Sequence, residues 1–121
     1  MSIQKRILLV DDQLDVVEAL SMLLELEGYE VRLACDGATA LKVVESFIPD
    51  VALIDERMPK MSGLQLATKL RENPSLARTR LIALSGSGSA SDVQQAKAAG
   101  FALHVTKPVT LEDVIRVIED R

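Results

Sequence analysis

Aromatic side chains are almost missing from this sequence. Tyr29, Phe47 and Phe101 are all there are, tryptophan is absent, and the three make up 2% of 121 residues. A site that stacks on nucleobases or on a flat cofactor ring has little to build with, so the core must be aliphatic. Cysteine is as scarce, and the lone Cys35 excludes an internal disulfide framework. Positive charge is not in excess: 14 Lys and Arg stand against 18 Asp and Glu, a formal charge of −4. A basic face for direct nucleic-acid contact is therefore not expected. No apolar run approaches the ~20 residues that cross a bilayer, and no charged-then-apolar leader opens the chain. The expectation is a cytoplasmic protein that contacts neither membrane nor nucleic acid directly.

What the chain does have is aliphatic residues, in short runs that alternate with helical patterns. With 48% hydrophobic and 26% charged residues, it can fill one core but not two, so residues 1–121 read as a single domain. Ile7 to Val10 is a continuous aliphatic run, the mark of a strand buried on both faces. Val16, Leu20, Leu23 and Leu24 follow at helical spacing, and Gly28 supplies a stop. Tyr29 to Leu33 alternates as a second strand. A helix from about Ala38 to Phe47, with Leu41 and Val44 inward, ends at Pro49. Val51 to Ile54 is a third strand, Met58 to Gly63 a loop, and Leu64 to Arg71 a short helix. Leu81 to Leu84 is the fourth strand, the small residues 85–89 a mobile lid, and Ser91 to Ala99 an alanine-rich helix. Phe101 to Val105 is the fifth strand. Thr110 and Asp113 form a capping box for a last helix whose inner stripe is Leu111, Val114, Ile115 and Ile118.

Five strand–helix alternations predict an α/β fold: a flavodoxin-like (βα)5 doubly wound parallel five-stranded sheet of order 2-1-3-4-5. Such folds bind ligands beyond the carboxyl ends of their strands. Just past the apolar runs stand Asp11 and Asp12, Asp55, Ser85 and Lys107. Two unit charges ~4 Å apart repel by about 4 kcal/mol at an effective dielectric of 20, so three clustered carboxylates call for a cation. An all-oxygen ligand set selects a hard one, and Mg2+ combines carboxylates with phosphate oxygens. Asp12 and Asp55 read as direct ligands, with Asp11 acting directly or through water. The Lys107 ammonium, the Ser85 hydroxyl and backbone N–H groups beside Gly86 and Glu56 suit a phosphoryl group. A carboxylate such as Asp55 is able to accept that group covalently.

The motifs Leu-Val-Asp11-Asp12, Asp55-x-x-Met58-Pro59-x-Met61-x-Gly63, Ala-Leu-Ser85-Gly86 and Lys107-Pro108 resemble those of a response-regulator receiver domain. The resemblance covers essentially the whole chain. It implies a phosphorelay switch of two-component signalling that acts only on its own phosphorylation state, not an enzyme with a separate substrate. It implies Asp55 as phospho-acceptor, and Asp11, Asp12, Asp55 and the Arg57 backbone carbonyl as Mg2+ ligands. Ser85, Gly86 and Lys107 would contact the phosphoryl oxygens. His104 stands where the family often carries a tyrosine or phenylalanine that swings inward on activation; a surface histidine without that role is the alternative. The implied donor is a histidine kinase or phosphotransfer protein. An unknown downstream protein would read the surface of the fourth helix, fifth strand and fifth helix, with homodimerisation through the same surface left open.

Some residues depart from the pattern or fall outside it. Ser85 replaces the family's common threonine and keeps its hydroxyl. Arg57 and Ser87 hold positions that influence phosphoryl lifetime in that family. The side chains of Glu56 and Arg57 are read as facing solvent, Cys35 as a small packing residue, and the isomer of the Lys107–Pro108 bond is left open. Two other classes share parts of the pattern. An aspartate-nucleophile phosphatase carries a second aspartate two residues after its nucleophile, where Arg57 stands here. A flavodoxin-like flavin or nucleotide binder cradles phosphate on a first loop rich in Gly, Ser or Thr, where Asp11 and Asp12 would repel it.

Overall fold

The computed structural model describes residues 4–86 and 88–119; Ser87, one of the two lifetime positions, lies outside the described residues. Five parallel strands, β1 (Arg6–Val10), β2 (Glu30–Ala34), β3 (Val51–Asp55), β4 (Arg80–Ser85) and β5 (Leu103–Thr106), stand in the expected order 2-1-3-4-5. The helices are α1 (Leu14–Leu26), α2 (Gly37–Val43), α3 (Gly63–Arg71), α4 (Ala90–Ala99) and α5 (Leu111–Glu119), with a 3-10 turn at Pro74–Leu76 before β4. No helix among the described residues is long and apolar enough to cross a membrane.

The period of two along each strand sorts side chains between the two faces of the sheet. Leu8, Val10, Ala52, Ile54, Leu81 and Ala83 pack with Ala40, Val44, Leu66, Leu70 and Ala96, the residues of α2, α3 and α4. Ile7, Leu9, Leu53, Ile82 and Leu84 pack with Val17 and Leu24 of α1 and Val114 and Ile118 of α5. Each fully buried aliphatic side chain contributes about 2 kcal/mol of hydrophobic stabilisation. Apart from Phe101 and Met58 in the first layer, the buried residues of both layers are aliphatic, as the shortage of aromatics requires.

Register then decides what meets at the carboxyl edge. Val10 pairs with Ile54, Asp55 with Leu84, and Ser85 with Thr106. The residues after Val10 and Ile54 are Asp11 and Asp55, so two carboxylates leave neighbouring strands side by side. Ser85 and Lys107 follow on the next two strands.

Several local expectations are corrected by packing. In α1 the buried stripe is Val17, Ser21 and Leu24, while Val16 and Leu23 are 56% and 43% exposed on its flank. The second helix stops at Val43 rather than Phe47; Ala40 and Val44 are its inward residues, and Leu41 is only partly buried. Phe47 instead folds back under the Arg6 and Arg32 guanidinium groups, 5.1 and 4.9 Å from its ring centre. The fifth strand starts at Leu103, because Gly100 ends α4 in the left-handed conformation (φ 107°) and the Phe101 N–H bonds back to the Ala96 carbonyl. Cys35 is exposed and is not a packing residue. The capping box of α5 is present: the Asp113 N–H donates to Thr110 Oγ1, and the Thr110 N–H donates to the Asp113 carboxylate, both at 3.1 Å.

Candidate functional site

Asp11, Asp12 and Asp55 each offer a carboxylate oxygen, and these oxygens lie within 4.8 Å of one another. Asp11 and Asp55 are buried, at 3% and 6% exposure, while Asp12 is exposed at the mouth. The sequence of β1 explains the contrast, since Asp11 still follows the strand's line and Asp12 begins the turn into α1. Asp11 is oriented by the Gln13 N–H, which donates to its Oδ1 at 2.9 Å, and Asp55 by the Arg57 N–H, which donates to its Oδ1 at 3.2 Å.

Lys107 supplies the opposing charge. Its Nζ lies 3.1 Å from Asp11 Oδ2 and 3.4 Å from Asp55 Oδ2. It follows β5 directly, its N–H is bonded to the Ser85 carbonyl at 2.6 Å, and the Lys107–Pro108 peptide bond is cis. The Asp55 carboxyl is pushed above its ordinary range, first by burial and then by the charge of Asp11, against the Arg57 N–H and Lys107. The Lys107 pKa is raised: partial burial on its own lowers it, but the hydrogen bond and charge of Asp11, with those of Asp55, together outweigh that.

Three carboxylates at this spacing around one ammonium, with no thiol or imidazole among them, fit a hard divalent cation. Ser85 closes the pocket from the end of β4, at 3% exposure. At the exposed Gly86, a side-chain carbon would meet nothing within 4 Å, so this flank of the pocket is open. One expected donor is not available: the Glu56 N–H is committed to the Leu84 carbonyl at 2.9 Å.

The loop after β3 is built to hold Asp55 still. Met58 is buried at 9% exposure in the α2–α3–α4 layer. Ser62 and Gln65 cap α3 reciprocally. The Gly63 N–H donates to the Glu56 carbonyl at 2.9 Å, an approach so close that a Cβ on Gly63 would sit 2.7 Å from Glu56 Cα and against the Asp55 carbonyl. Both obstacles are backbone and cannot rotate away. Gly63→Ala is expected to destabilise the fold by about 2 kcal/mol, read as a lower denaturant midpoint; an unchanged midpoint would remove the steric account of this glycine.

Glu56, read as facing solvent, and His104, read as a switch position or else a surface histidine, both have buried side chains. Glu56 is turned inward with its side chain 9% exposed, not toward solvent, and its Oε1 is 3.5 Å from Nε2 of His104, whose side chain is 6% exposed. The His104 side chain is therefore buried and not at the surface. Burial pushes the Glu56 carboxyl upward, and the neighbouring His104 opposes that shift. The signal for Glu56 was present in the strand period: it lies two residues past the inward-facing Ile54. Arg57 is exposed as expected. A further feature had no sequence signal, a groove of about 400 Å³ beside Lys107 whose apolar walls include Val16, Leu20, Pro108 and Val109.

Comparison with known proteins agrees with this geometry. The probable transcriptional regulatory protein TcrX of Mycobacterium tuberculosis is 36% identical over 110 residues, which are 90% of this chain and 46% of that protein. The chain thus spans less than half of that relative's length. The chemotaxis protein CheY4 of Vibrio cholerae superposes with a TM-score of 0.92 at 28% identity, covering 97% of this chain and 98% of that one. A response regulator of Burkholderia pseudomallei, solved with a phosphorylated aspartic acid, a calcium ion and citrate, superposes with a TM-score of 0.87 at 27% identity, covering 96% of this chain and 67% of that one. The response regulator receiver domain model matches residues 7–119, and the chain belongs to that family.

Proposed function

We propose that Asp55 is the phospho-acceptor of this receiver domain and that residues 1–121 act as one such unit. The observation that carries the reading is the Asp11–Asp12–Asp55 cluster with Lys107 bridging Asp11 and Asp55. The Burkholderia pseudomallei neighbour, solved with a phosphorylated aspartic acid and a calcium ion, supports the same chemistry here. Asp11, Asp12, Asp55 and the Arg57 carbonyl would hold Mg2+. When bound, Mg2+ supplies positive charge to the carboxylates and to the phosphoryl oxygens.

The chain's own groups account for the rest. The Arg57 N–H fixes the Asp55 carboxylate, one oxygen of which attacks phosphorus. An O–P bond forms, the P–N bond of a donor phosphohistidine breaks, and its electron pair stays on the donor imidazole. Lys107 neutralises charge on the arriving group, with Ser85 and the open flank at Gly86 meeting its oxygens. Hydrolysis of the acyl phosphate resets the switch, so the domain acts on no separate substrate. The donor is a histidine kinase or phosphotransfer protein in the cytoplasm. The reader is a protein that binds the α4–β5–α5 face, through which a second copy would also pair.

A protein donor must cover the apolar flank of α1 to reach Asp55. Val16 lines the groove beside Lys107, and Leu23, one side further along the helix, is 43% exposed. Val16→Asp is expected to slow phosphotransfer from the protein donor about tenfold, a loss of ~1.4 kcal/mol, while acetyl phosphate reacts as before. Equal slowing with both donors would refute this docking surface. The reading as a whole is tested by intact mass after incubation with acetyl phosphate: one added phosphoryl group is expected with Mg2+ and none with EDTA.

A further inference from the structure

Glu56 directly follows the acceptor and is the buried acid that the proposed chemistry leaves unused. Its Oε1 and the His104 Nε2 are 3.5 Å apart, both side chains are more than nine-tenths buried, and among the described residues neither atom has a hydrogen bond. A carboxylate withdrawn from water without a partner costs several kcal/mol, so each group is the other's compensation.

The backbone of Glu56 cannot yield. Its N–H is bonded to the Leu84 carbonyl and its carbonyl to the Gly63 N–H, both at 2.9 Å, which ties it to β4 and α3 at once. His104 has more freedom. It sits on the edge strand β5, opposite Ala83. A groove of about 290 Å³ between α4 and β5 is lined by Val93, Ala96, Lys97, Phe101, Leu103 and His104 itself. His104 thus has a buried partner in Glu56 and also lines the groove. Asp55, Arg57 and Asp92 are the other charged groups that act on Glu56.

We propose that Glu56 is a positioning residue that latches His104 inward and carries the state of Asp55 to the α4–β5 groove. The inference rests on Asp55 being the phospho-acceptor. A phosphoryl group there places extra negative charge one residue from the Glu56 carboxylate. The pinned backbone leaves the Glu56–His104 contact as the part able to respond. The adjacent groove is where that response reaches the surface.

The chain has one histidine, so its imidazole gives a single set of ring signals in 1H–15N spectra. In the resting protein, Glu56→Gln is expected to move those signals. With Mg2+ and beryllofluoride, which mimics an aspartyl phosphate, the wild type is expected to shift the amides of Val93, Ala96 and Leu103. In Glu56→Gln that shift becomes about fivefold smaller, although acetyl phosphate still adds one phosphoryl group by mass. Glu56→Asp, which keeps the charge but not the reach, should behave as Glu56→Gln does. Ring signals unmoved at rest, or a full amide response in both variants, would overturn the latch. Failure of the wild type to accept any phosphoryl group would instead overturn the acceptor reading and the coupling with it, while the resting ring spectra still decide whether the pair exists.

Discussion

Replacing Asp55 by asparagine is expected to abolish phosphoryl acceptance and, at neutral pH, to raise thermal stability. The first effect is complete because an amide oxygen does not form a stable bond to a transferred phosphoryl group. The second follows from linkage. The Asp55 carboxyl is 6% exposed and its pKa is held above the ordinary value, first by burial. Between the ordinary value and the raised one, the native state binds more protons than the unfolded chain, so stability falls as pH rises through that window. At neutral pH the ionised Asp55 is therefore a net cost to the fold. Asparagine keeps the shape and removes the charge. The expected gain is about 1 kcal/mol, or roughly 4 °C in Tm for a domain of this size. It shrinks as pH is lowered through the raised Asp55 pKa, where the wild-type carboxyl takes up its proton. Thermal melts of both proteins across that range check the sign; a Tm for Asp55→Asn at or below the wild type at neutral pH would contradict it.

Lys107→Met is expected to do the opposite to stability while also slowing the chemistry. The ammonium is bound to Asp11 at 3.1 Å and faces Asp55 at 3.4 Å. Its folded pKa is raised, so its contribution is fully present at neutral pH and is lost only when pH climbs through that raised value. Removing it leaves the carboxylates to repel, at a cost of about 2 kcal/mol. Without Lys107 the Asp55 carboxyl is pushed up further, so the deficit shrinks on acidification and on addition of Mg2+. Loss of one charge-stabilising group at the reacting phosphoryl is expected to slow reaction with acetyl phosphate about 100-fold. A Lys107→Met protein that is phosphorylated at the wild-type rate would remove Lys107 from the site.

How much of this was legible in the sequence depended on what kind of order each feature obeys. The aliphatic runs ending in Asp11, Asp55 and Ser85 were legible because a strand buried on both faces must be apolar along its length. Parallel pairing of Val10 with Ile54 then brings the following acids together. The flank of α1 was misread because Val16 and Val17 are adjacent and equally apolar, and only packing against β1 and α5 selects Val17 as the buried one. The early end of α2 at Val43 was hidden for a similar reason: Phe47 has the spacing of a helical residue, yet its ring is taken by Arg6 and Arg32. Glu56 was assigned to solvent on its charge, which ordinarily decides the matter. The strand period and a histidine two strands away overruled that charge.

The central claim is that Asp55, and not its acidic neighbours, carries the phosphoryl group. Borohydride trapping after acetyl phosphate treatment tests it most directly, because hydride reduces an aspartyl phosphate to homoserine at the residue that held it. Peptide mapping is predicted to find homoserine at position 55 in the presence of Mg2+ and nowhere after EDTA. Homoserine at position 11 or 12, or none under either condition, would contradict the account.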